Sequence, residues 1–70
     1  MSKERELLGL VIKHNGNICL GNVCEWAKKL GVDYPDGIDN MLADILGRDY
    51  YSILSSELKR RAQRALDEMD

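Results

Sequence analysis

Seventy residues, 44% hydrophobic and 31% charged, suffice for one globular domain: the chain is too apolar for disorder and too short for two cores. A domain of this size buries only about 60% of its unfolded surface, so a homodimer or another partner is expected to supply part of its stability. No stretch reaches the roughly 18 apolar residues of a membrane span, and Met1, Ser2, Lys3, Glu4, Arg5 and Glu6 are too charged to open a secretory signal; the expectation is a cytoplasmic protein with no membrane partner.

Ser2 is placed to cap a first helix running to about His14, with Leu7, Leu8, Val11 and Ile12 as its buried stripe and Leu10 at the margin. Asn15, Gly16 and Asn17 end it, because all three tolerate the left-handed backbone of a turn. Ile18, Cys19 and Leu20 are too few for a helix before the next cap, so they form extended chain or a short strand. Cys19 and Cys24 read as buried thiols of a reducing compartment. Their spacing suits neither a zinc knuckle nor a thioredoxin-type pair, and His14 is the single histidine, so no metal and no cofactor is expected.

Asn22 is a good N-cap with Glu25 three residues on, the pattern of a reciprocal capping box. The helix it would open carries Val23, Trp26, Ala27 and Leu30 on one face and Glu25, Lys28 and Lys29 on the other. Ala27 is small enough to let a second helix cross closely, and Gly31 can take the left-handed conformation that stops the first. A turn-rich segment follows, in which Pro35 biases Tyr34 away from helix. Ile38, Met41, Leu42 and Ile45 recur at i, i+3, i+4 and i+7, a third helix closed by Gly47. In residues 48–54 the tyrosines and Ile53 favour a short strand, paired with residues 18–20, whereas Asp49 equally suits the cap of a helix running onward. Ser55 or Ser56 would cap the final helix to about Glu68, burying Leu58, Ala62, Ala65, Leu66 and Met69.

This order of elements over residues 7–66 resembles a winged helix-turn-helix domain. The resemblance implies a mainly α, small three-to-four-helix domain with at most a short two-stranded sheet, the third helix being the one that reads DNA. Two departures stand out: the turn is one residue longer than the compact pattern, and Gly47 and Tyr50 leave almost no room for a wing. The function implied is transcription regulation by a small DNA-binding protein, of the size common among phage or plasmid regulators. Lys28, Lys29 and Arg48 would then flank the turn, while Lys59, Arg60 and Arg64 would add backbone contacts to double-stranded DNA.

Charge distribution opens a second reading. Residues 1–32 carry five bases and three acids, residues 33–54 one base and five aspartates, and residues 55–70 four of each. The outward positions of the third helix would include Asp36, Asp39 and Asp44, and carboxylates facing a polyanion are repelled. On the same scaffold that helix can instead bind a basic surface of a nucleic-acid-binding protein, with an exposed tyrosine such as Tyr51 as a further contact. The bases likewise have two readings: cations at the end of the second helix complement its dipole without any ligand, and a run on a terminal helix is ordinarily a solvated face. Trp26 reads as core and His14 as a helix-end residue. No phosphate loop or nucleophile–base pair occurs, so a non-enzymatic binding protein is expected, with no catalytic residues.

Overall fold

Ser2 does cap the first helix. In the computed structural model, which describes residues 2–69, its hydroxyl accepts a hydrogen bond from the Arg5 N–H at 3.2 Å and opens α1, Lys3–Lys13. Glu4 and Glu6 lie in the first turn and Lys13 in the last, each with the sign that the helix dipole favours. Leu7, Leu8 and Val11 are fully buried. Asn15 and Gly16 then adopt positive φ, 57° and 75°. Gly16 is irreplaceable on two counts: its backbone is left-handed, and a Cβ there would come within 2.0 Å of the Ser55 carbonyl oxygen. The end of α1 is thereby seated directly on the start of the last helix.

The second helix, α2, spans Leu20–Leu30 and so begins earlier than the expected cap. Cys19 holds the cap position with extended backbone and no side-chain hydrogen bond. Asn22 falls inside the first turn, where its amide Nδ2 donates to the Asn17 carbonyl at 2.8 Å. The capping box with Glu25 is therefore not formed, because Asn22 already lies inside a helix whose cap position is Cys19. At the other end Gly31, φ 68°, makes a Schellman stop: its N–H donates to Lys28 O, and the Val32 N–H reaches back to Ala27 O.

After a five-residue turn comes α3, Asp36–Leu46, with Asp36 and Asp39 in its first turn. It buries Ile38, Leu42 and Leu46, while Met41 and Ile45 pack at the edge. Residues 49–54 follow neither expectation: a single 3-10 turn at Tyr50–Ser52 carries the chain across, Asp49 makes no side-chain cap, Ile53 is extended before the last helix, and no strand forms among the described residues. The Tyr50 N–H bonds to Gly47 O and the Ser52 N–H to Asp49 O, so the backbone of the segment is satisfied locally and has no need of a sheet partner. The last helix, α4, covers Ser55–Met69 and lays Leu58 and Ala62 into the core. Met69, expected in that stripe, is 44% exposed, and Ser55 lies inside the helix rather than before it.

The described residues thus form a small all-α domain of four α-helices. α1 packs chiefly on α4, α3 leans on α4 from another side, and α2 bridges α1 and α3. Trp26 and Ala27 occupy the core, with the His14 ring tilted against the indole at 5.5 Å. Arg61 ties the far ends together: one guanidinium nitrogen donates to Leu46 O at 2.8 Å and to Asp49 at 2.9 Å, and Nε to Glu57 at 3.4 Å. A cation thus meets the carbonyl end of α3, where the dipole is negative.

Candidate functional site

Two concave surfaces lie at opposite ends of α2 and share no residue. The first is acidic and aromatic, with a volume of about 400 Å³. Leu20 and Val23 reach it from the start of α2, Asp36 and Asp39 from the start of α3, and Tyr50 and Tyr51 from the 3-10 turn; Ile18, Tyr34 and Pro35 complete it. The early start of α2 matters here, since it sets Leu20 on the groove's rim with 76% of its surface exposed. Tyr51 is 79% exposed, and its ring meets the Tyr50 ring edge-on at 5.7 Å.

Within this groove Tyr50 is half-buried and its hydroxyl donates to the Asp39 carboxylate. Burial, reinforced by that carboxylate, pushes the Tyr50 phenol up to about 12, so it stays a neutral donor through the physiological range. Asp39 is consequently committed to a neighbour. Asp36, exposed at the same helix start, has no such partner among the described residues, and Asp44 is exposed farther along α3, outside the groove. Of the four residues singled out for a protein partner, Asp36, Asp39 and Tyr51 are brought together and Asp44 is not. Leu20, Tyr34 and Tyr50 are members that the linear pattern did not reveal; proximity to Pro35 was the one available cue for Tyr34.

The second groove is cationic. Arg5, Glu6, Gly9, Leu10 and Lys13 of α1, Lys29 at the end of α2 and Leu66 of α4 enclose about 450 Å³. Among the six bases expected at a nucleic-acid surface, Lys29 alone lines it. Lys28, Arg48 and Arg64 are exposed elsewhere, Lys59 donates to the Asn15 side chain at 3.0 Å, and Arg60 pairs with Glu57 at 3.2 Å in an exposed i,i+3 contact. Neither of the two grooves gathers these six.

Asp49 and Arg61 serve the fold. The hydrogen bond from Arg61, helped by a backbone N–H, holds the Asp49 carboxyl below the usual carboxylate range, and Asp49 in turn raises Arg61. Cys19, expected to be buried, is exposed at the α2 cap, and Cys24 is half-buried; both are free thiols. Among the described residues no cluster of three or more His, Cys, Asp or Glu is placed to hold a metal, and no helix is long and apolar enough to cross a membrane. Family models, curated proteins and solved structures offer no match to this chain.

Proposed function

We propose that the chain is a small, non-enzymatic cytoplasmic interaction protein whose acidic, aromatic groove receives a basic segment of a nucleic-acid-handling partner. One observation carries this reading: Asp36 and Asp39 share a single concavity with Tyr34, Tyr50, Tyr51 and the exposed Leu20. Tyrosine and exposed aliphatic surface supply contact area at low entropic cost, and the carboxylates select a cationic partner and speed its approach. Lysine- or arginine-rich segments flanked by apolar residues, common on surfaces that hold nucleic acid, match that chemistry.

A second reading, a DNA-binding regulator of winged helix-turn-helix type, draws support from the Gly31 stop between α2 and α3 and from exposed Lys28 and Lys29 beside it. Its weakness is that Asp36, Asp39 and Asp44 are all exposed on the helix that would enter the groove of DNA.

One titration pair separates the two. A synthetic peptide alternating Arg or Lys with Leu should bind, and Asp36→Asn should weaken it through a slower association rate while Asp44→Asn leaves it nearly unchanged. Duplex binding whose affinity falls with a log–log salt slope near −0.9 per phosphate, abolished by Lys28→Ala with Lys29→Ala, would instead establish the DNA reading.

A further inference from the structure

The acidic groove offers a cation more aromatic surface than open acceptors. Asp39 already accepts from the Tyr50 hydroxyl, and among the described residues Asp36 is the lining carboxylate that no side chain holds. Every N–H of a lysine ammonium or an arginine guanidinium that leaves water needs an acceptor, and an unmet one costs free energy. Around the carboxylates stand Leu20, Val23 and the rings of Tyr34, Tyr50 and Tyr51. The Tyr50 and Tyr51 planes lie at 89° to each other with centroids 5.7 Å apart, so the pair makes a right-angled corner. Ring faces carry the negative side of the aromatic quadrupole, and a cation in such a corner lies against one face and above the other. The bond to Asp39 fixes the Tyr50 wall, while the Tyr51 wall stands open to solvent.

From this arrangement we infer that the groove selects a quaternary ammonium, the trimethylated side chain of a lysine within the basic segment. The inference rests on the groove reading proposed above and names the cation that the groove prefers. A trimethylammonium keeps the positive charge and has no N–H to satisfy, so it loses nothing where acceptors are few. Its methyl groups carry that charge on an apolar surface, which packs on ring faces and on Leu20 and Val23 alike. Asp36 and Asp39 attract it through space, and that attraction needs no hydrogen-bond geometry. A free quaternary ammonium fills only part of a concavity of about 400 Å³, whereas the exposed Leu20 rim gives an apolar neighbour of the lysine further contact.

The probe is a short synthetic peptide alternating Lys with Leu, titrated into the ¹⁵N-labelled full chain and followed by amide chemical shifts. Its central lysine is unmodified, trimethylated, or replaced by the neutral isostere that has carbon in place of the ammonium nitrogen. Shifts should centre on Leu20, Tyr34, Asp36, Tyr50 and Tyr51. Trimethylation should tighten binding about fivefold, the size of a cation–π contact at a partly exposed site, and the neutral isostere should lose that gain. Tyr51→Leu alters an exposed side chain outside the core and should remove the preference, whereas Tyr51→Phe, which keeps the ring face, should retain it. Equal affinity for the unmodified and trimethylated peptides would overturn the selectivity and leave the groove a site for basic segments; binding of neither would remove both readings. An isostere that binds as tightly as the trimethylated peptide, or a preference that survives Tyr51→Leu, would also overturn the inference. So would choline binding as tightly as the trimethylated peptide, since the ligand would then be a free small molecule.

Discussion

The two ends of α2 face opposite chemical worlds. At its start the helix meets a turn and a second helix start, and the groove there is built from tyrosines and aspartates. At its end, about 14 Å away by helical rise, Lys29 joins Arg5 and Lys13 of α1 over an apolar floor. Local electrostatics accounts for much of this polarity. Acids gather at the start of α3 and bases at the end of α2 because each complements a helix dipole, and the folding of α2 beside α3 turns those two local preferences into two separate surfaces. The surfaces differ in kind as well as in sign: the acidic one is internally cross-linked by Tyr50 and Asp39, whereas the cationic one is open at Gly9.

Trp26 offers the most drastic way to break the contrast, because it anchors the helix that both surfaces share. Trp26→Ala should cost about 3–5 kcal/mol in chemical denaturation, and the basic peptide should lose binding with it. A variant that lost this stability yet kept peptide binding would show that the acidic end is supported independently of Trp26.

Tyr50→Phe should act on the acidic end alone. Losing the hydrogen bond to Asp39 should cost about 0.5–1.5 kcal/mol, at the lower end because the pair is partly solvated. The pH dependence has a definite sign. Since the folded phenol is raised from 10.0 to about 12, its stabilisation is fully present below pH 10 and is lost as pH rises through 12. Parent and variant melting curves should therefore converge over that interval.

Asp49→Asn should have the smallest effect and touch neither groove. The depressed carboxyl pKa means that its contribution is present above the ordinary carboxylate range and lost as pH falls through the lower folded value. Melting temperature should drop slightly near neutrality and match the parent in acid. A persistent deficit at low pH would mean that Asp49 acts through its shape in the loop rather than its charge.

The helical faces were legible residue by residue. Leu7, Leu8 and Val11, Trp26, Ala27 and Leu30, and Ile38 and Leu42 are buried where their periodicity puts them, and Gly31 stops α2 as its conformational freedom predicts. Errors gathered at loops and helix starts, where hydrogen bonds to nearby backbone decide the outcome. Asn22 looked like a cap and became a strut to Asn17; residues 49–54 had the composition of a strand and closed into a 3-10 turn. Cys19 and Met69 matched the core by type but lie at helix ends, beyond the reach of opposing helices.

The sequence by itself determined what acts over three to five residues: the amphipathic periods, the first helix cap, the glycine stops and the signs of charge at helix ends. Tertiary structure alone decided which distant residues became neighbours. Asp36 and Tyr51 are 15 positions apart, and Lys29 and Leu66 are 37 apart. Their meeting depends on how α2 is seated between α1 and α3, and no local preference encodes that angle. It is set by the fit of Trp26, Ala27 and their facing side chains in one close-packed core, where volume and shape act collectively.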